Sequence, residues 1–187
     1  GAMAKPAEQG LRTFSTEHYI IHTDLDDALA RELPDDLEFC FDEFSRRLVM
    51  FEGLGRPGSD DPFNVYLFRD HADYLKHTGG ELPNSGGLYI NQKRALAAYL
   101  EGQGREQMRK TLRHEAFHQF AHEKVGPGLP VWLNEGLAQL FEESLRLGDQ
   151  LRVGLVPPDR LRQLKHDMAE GRLIDFETIL KLTDVGW

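Results

Sequence analysis

Cys40 is the only cysteine among the 187 residues, so no disulfide can close within the chain. Its place in EFCFDEF, between two phenylalanines, reads as an inert core thiol. Long apolar runs are missing as well, which excludes a membrane-spanning helix. There is no basic surplus: 22 Lys and Arg stand against 31 Asp and Glu, for a net charge of −9. The basic residues are interleaved with acids, so no nucleic-acid partner is expected, and the locally basic stretch Arg105 to Arg113 is short. Internal repeats and low-complexity segments are absent too. What remains, with 40% hydrophobic residues, is enough to bury one sizeable core, and a single domain over 1–187 is expected. Gly1-Ala2-Met3 reads as a scar of tag removal at the head of a disordered start, 1–12. The apolar end at Trp187 predicts that the parent protein continues. The compartment is not legible, and an extracytoplasmic location is the working guess.

Residues 13–104 read as a strand-rich lobe. His18 to Leu25 alternates and is β-branched, the pattern of a first strand. Leu37, Phe41, Phe44, Leu48 and Phe51 are spaced four, three, four and three, which predicts a long helix entered at Pro34. A turn cluster over 53–62 leads to a second strand, Phe63 to Arg69. A short helix then follows, with Asp70 as N-cap and Gly79 as its stop. LYI and RALAAYL on either side of Asn91 to Lys93 suggest a hairpin ending near Leu100. Residues 105–187 read as mainly helical: a helix from about Arg105 to Lys124, a break at Gly126 to Pro130, and a second helix from about Val131 to Leu145. A short strand in QLRVGLV and two more helices complete the chain. The expected fold class is α+β, a small mixed sheet with an edge hairpin packed on a long helix, followed by a mainly helical lobe.

That long helix carries TLRHEAFHQF, residues 111–120. Residues four apart on an α-helix differ by about 40° of rotation and about 6 Å of rise, so His114 and His118 project from one face. That separation suits two imidazoles sharing a zinc at roughly 2.0–2.1 Å each. Glu115 lies on the adjacent side, where it can act on a metal-bound water without ligating. His122 continues the spacing, but on a straight helix it rises about 12 Å above His114, too far for one ion to touch both; it reads as a neighbour of the site or a solvated residue. The pattern with a third histidine, H-E-x-x-H-x-x-G-x-x-H, also fails, because Ala121 and Lys124 stand at its glycine and last histidine. A third ligand is better sought in VWLNEGLAQLFEE. There Leu133, Leu137, Leu140, Phe141 and Ser144 form an apolar stripe, and Glu135, Gln139 and Glu142 share the other side. A chain reversal at GPGLP would aim Glu135 at the histidines, and Gly136 suggests a close backbone approach.

HEAFH followed by WLNEGLAQLFE resembles the gluzincin zinc metallopeptidases, the group of thermolysin and the aminopeptidase N type, and most closely their bacterial peptidase-MA-like domains. The resemblance is strong over Arg113 to Glu142 and weaker from the first strand through the hairpin. It implies a zincin-like fold binding one Zn2+ through His114, His118 and Glu135, with Glu115 as general base in peptide-bond hydrolysis. Glu142 matches the acid that orients a ligating histidine, and Asn134 and Gln139 are expected beside the ligands. The strand Arg94 to Leu100 is similar to the edge strand on which gluzincins lay a peptide or protein substrate, which points to Ala97, Ala98 and Tyr99; an ordinary amphipathic strand reads equally well. Gluzincins add a Tyr or His beyond the third ligand to stabilise the oxyanion. Here only His166 follows it, with Tyr89 and Tyr99 as alternatives. A non-catalytic module of the same fold, binding a peptide or partner, is the competing reading.

Overall fold

The computed structural model describes residues 10–49, 61–80, 82–126 and 128–182. The period-two runs pair into a five-stranded sheet of β1 (Arg12–Ser15), β2 (Tyr19–Thr23), β3 (Phe63–Phe68), β4 (Gly87–Ile90) and β5 (Ala95–Tyr99). The strand order is β1-β2-β3-β5-β4. β2, β3 and β5 run parallel, while β1 and β4 are antiparallel edges. The expected mixed α+β arrangement is therefore present.

Helices cover both sides of this sheet. Tyr19, Ile21, Val65, Leu67, Leu96 and Ala98 point to one face, where α1 (Asp27–Leu48) and α3 (Arg105–Phe120) pack. The phenylalanine spacing seen in the sequence explains the centre of this core. Phe44 of α1 lies with its ring centroid 5.5 Å from Phe117 and from Phe120 of α3, and 4.6 Å from Phe141 of α4 (Val131–Glu142). Cys40 is buried in the same core, and burial pushes its thiol pKa up to about 12, as expected of an inert thiol. On the opposite face, Phe68, Tyr74 and Ala97 form a smaller cluster under α2 (His71–Thr78).

Several expectations need correction. α1 begins at Asp27, not at Pro34: Asp26 caps it by accepting the Leu29 N–H at 3.0 Å, and Pro34 lies inside the helix. Proline there removes one backbone donor, yet Leu29 and Leu33 extend the buried stripe across it. Phe51 and most of the 53–62 turn lie outside the described residues. β1 replaces the end of the expected disordered start, because Arg12 pairs with Thr23 and its side chain bonds Asp27 and the Leu25 carbonyl. Asp70 precedes α2 but makes no side-chain cap bond. The hairpin exists, joined by a 3-10 turn at Asn91–Lys93, but β5 is paired on both sides and β4 is the edge. Ala97 and Ala98 are consequently fully buried in the sheet interior. The helix carrying the motif stays α-helical only to Phe120 and widens into a π-turn over Ala121–Val125. Gly126, at φ 99°, then reverses the chain in a conformation open to glycine alone without strain.

α4 ends at Glu142 and is followed by a β6 (Leu145–Leu147) and β7 (Gln150–Arg152) hairpin, then α5 (Pro158–Ala169) and α6 (Phe176–Leu180). Its most buried residues are Ala138 and Phe141, with Leu133, Leu137 and Leu140 only half-buried. Gly136 is exposed, and a Cβ there would meet nothing within 4 Å. No close approach explains it.

Three arginines spaced four apart on α3 meet acids of α1. Arg105 pairs with Asp26, Arg109 with Glu32 and Arg113 with Asp36. The first two pairs are partly exposed and contribute little. Arg113 and Asp36 are 5% and 6% exposed, so their pairing decides whether α3 can pack at all. Replacing Asp36 with Ala leaves a buried guanidinium uncompensated and is expected to cost about 3–5 kcal/mol. Urea unfolding checks this, and a loss below 1 kcal/mol would contradict it.

Candidate metal centre

Helical spacing brings His114 and His118 together as expected, with their Nε2 atoms 3.0 Å apart. α4 runs back against α3 through the stacked rings of Phe117 and Phe141, 5.4 Å between centroids. This packing carries Glu135 to the histidines. One carboxylate oxygen lies 3.5 Å from His114 Nε2 and the other 3.4 Å from His118 Nε2. Donors bound at 2.0–2.1 Å to one tetrahedral ion stand about 3.3 Å apart, so the three edges suit a single cation. His114, His118 and Glu135 are the only such group of three among the described residues.

The outward nitrogens of both rings are held. His114 Nδ1 lies 2.9 Å from Glu142 Oε2, and His118 Nδ1 lies 3.3 Å from Asn134 Oδ1. With each Nδ1–H donating outward, each Nε2 keeps its lone pair for a metal. Gln139 Nε2 donates to the same Glu142 oxygen that faces His114. Every residue expected around the ligands therefore sits there.

Charge follows from this packing. Burial works against a charged His114, but hydrogen bonds with Glu135 and then Glu142 outweigh it and raise its pKa to about 9. Hydrogen bonds from His114 and His118 hold the Glu135 carboxyl down at about 2. Glu115 behaves differently: burial raises its pKa, partly offset by the two histidines and by the Tyr89 N–H, which donates to Oε2 at 2.9 Å.

The site opens into a cleft of about 540 Å³ whose walls include Leu88 and Tyr89 of β4, Leu129 and Val131. A smaller hollow of about 170 Å³, lined by Ser85, Gly86, Thr111 and Glu142, adjoins it across His114 and Glu115. Of the oxyanion candidates, Tyr89 lines the larger cleft, and its hydroxyl donates to Glu123 at 3.0 Å beside His122 Nδ1 at 3.2 Å. His122 lines the cleft without joining the metal group. Tyr99 instead stacks on His71 at 4.3 Å within the cluster on the far face of the sheet. His166 sits on exposed α5 and lines neither cavity.

Sequence reasoning missed the part played by β4. Strand and helix approach closely because Gly87 has no side chain; a Cβ would stand 2.8 Å from Thr111 Cγ2 and 3.1 Å from the Ala97 carbonyl. Thr111 lies one helical turn before Glu115, so this approach is what lets the Tyr89 N–H reach the carboxylate. The paired glycines of Ser85-Gly86-Gly87 were the available signal. No family model matches the chain, and no curated protein matches it.

Two consequences can be measured. A cation entering the site must displace the His114 proton, while Glu135 is already ionised. Zinc affinity measured against a competing chelator is therefore expected to rise by about tenfold per pH unit up to pH 9 and then flatten; a flat profile from pH 6.5 to 9 would contradict this. Glu142→Ala frees the His114 ring and is expected to weaken zinc binding by about 10–100-fold, measured by the same titration at fixed pH.

Proposed function

We propose that the protein is a zinc-dependent peptidase of gluzincin type, and that its fold is zincin-like. The observation that carries this reading is the convergence of the His114 and His118 Nε2 atoms and the Glu135 carboxylate, 3.0–3.5 Å apart, beside an independent half-buried carboxylate, Glu115. A zinc ion held there would supply Lewis-acid polarisation of a peptide carbonyl and a lowered pKa for water. Glu115 accepts a proton from the attacking water and delivers it to the departing amine nitrogen. Its raised pKa makes the carboxylate a stronger base for taking the proton from water. Tyr89 and His122 are the cleft side chains assigned to the developing oxyanion.

Substrate is laid along β4, not along the strand Arg94 to Leu100. Tyr89 donates its N–H away from β5, to Glu115, and backbone groups alternate along an antiparallel strand. Gly87 and Tyr89 consequently turn their backbone groups away from β5; the Tyr89 N–H is held by Glu115 and the Gly87 C=O by the Ser85 hydroxyl, which leaves the Tyr89 C=O to pair with an extended peptide. A non-catalytic binding module could use the same edge. The placement of Glu115 favours the enzyme, because a binder has no use for a base beside the metal ligands.

Glu115→Gln keeps the shape of the side chain and removes the base. The expected result is a fall of about 10²–10⁴-fold in kcat for peptide hydrolysis, with zinc content by atomic emission unchanged. Undiminished hydrolysis would contradict the assigned role.

A further inference from the structure

We infer that the cleft accepts an internal stretch of an extended polypeptide and, among the described residues, offers no uncommitted charged group to a free chain end, an inference that rests on the peptidase reading above. Two features carry it.

The first is that space continues on both sides of the reacting position. The larger cleft and the smaller hollow share Ser85, His114 and Glu115, and both open to solvent. The β4 edge joins them: Ser85 and Gly86 border the hollow, and Gly87, Leu88 and Tyr89 border the cleft. A peptide paired to this edge passes the metal group and runs on in both directions, at about 3.3 Å per residue.

The second is charge. An enzyme that trims ends must pair with a free ammonium or a free carboxylate. The ionisable residues lining the two cavities are His114, Glu115, His118, His122, Glu135 and Glu142, with no lysine or arginine among the described residues there. A terminal carboxylate therefore meets no guanidinium or ammonium. Arg94 pairs with Glu123 at 2.7 Å, and Arg160 lies 3.6 Å from Glu142 and 3.8 Å from Glu143, so each already faces a carboxylate. A terminal ammonium fares no better. Glu135 spans the two histidines, Glu142 faces His114, and Glu115 accepts the Tyr89 N–H. Taking any of them for an amine would dismantle the metal site or occupy the base. Neutral interior peptide units ask for none of this, only for edge pairing and for apolar walls such as Leu88, Leu129 and Val131.

The test compares one internally quenched peptide library in two forms, with free ends and with acetylated and amidated ends, on the zinc-loaded protein. Cleavage sites are read by mass spectrometry, and binding of the blocked peptides to Glu115→Gln is read by fluorescence anisotropy. The expected result is kcat/KM within threefold for the two forms, with cuts at least two residues from either end. A loss above tenfold on blocking either end, or release of single residues, would overturn the inference and leave the peptidase reading standing. Blocked peptides that bind the variant but are not cut by the unaltered protein would support the groove and sink the peptidase reading. Absence of both binding and cleavage for every peptide would overturn both.

Discussion

The buried guanidinium of Arg113 is the constraint on which the rest of the arrangement depends. It reaches Asp36 of α1 at 3.1 Å and the Ser144 carbonyl just beyond α4 at 2.9 Å. One side chain thereby fixes α3 against the helix that builds the core and against the helix that returns Glu135. Its backbone neighbour is His114. A charge this deeply buried tolerates little freedom, because separation from its partner exposes the full desolvation cost. Apolar contacts supply most of the cohesion, through Phe44, Phe117, Phe120 and Phe141, but they resist sliding poorly. The ion pair sets the register.

On that frame the metal group is assembled from two helices and trimmed by a strand. α3 contributes His114 and His118 to the group that could hold a metal, with Glu115 beside them, because its pitch places residues 114, 115 and 118 toward one cleft. α4 contributes Glu135, the third member of that group, together with Asn134, Gln139 and Glu142, which hold the rings from behind. β4 contributes no ligand. Its closeness, permitted by Gly87, positions a backbone N–H on Glu115 and leaves an open edge beside the metal group. The hydrogen bond to Glu115 and the sheet edge beside the metal group thus belong to the same four-residue strand.

How much of this the sequence discloses depends on how local each feature is. The i, i+4 histidines and the i, i+4, i+7 polar residues Glu135, Gln139 and Glu142 of α4 follow from helical pitch alone, and the structure brings them together as read. The direction of α4 was legible too, since Gly126 and two prolines leave a helix no way to continue. Non-local pairing was not legible. Nothing within RALAAYL tells that it also pairs with β3, so the edge was assigned to the wrong strand of the hairpin, and Ala97 and Ala98 with it. β1 escaped notice because its residues are mostly exposed and its partner lies across a turn. Pro34 misled for a different reason: proline favours a helix start, but Asp26 and a longer buried stripe outweighed that preference. The π-turn after Phe120 changes the phase of His122 in a way that no straight-helix projection can foresee. Gly136 has no steric explanation in its surroundings.

X-ray absorption at the zinc edge, combined with anomalous diffraction on the zinc-loaded protein, addresses the central claim most directly. The account predicts one ion with two imidazole nitrogens and one carboxylate oxygen at about 2.0–2.2 Å, supplied by His114, His118 and Glu135. An ion bound elsewhere, or a coordination shell from which Glu135 is missing, would contradict it.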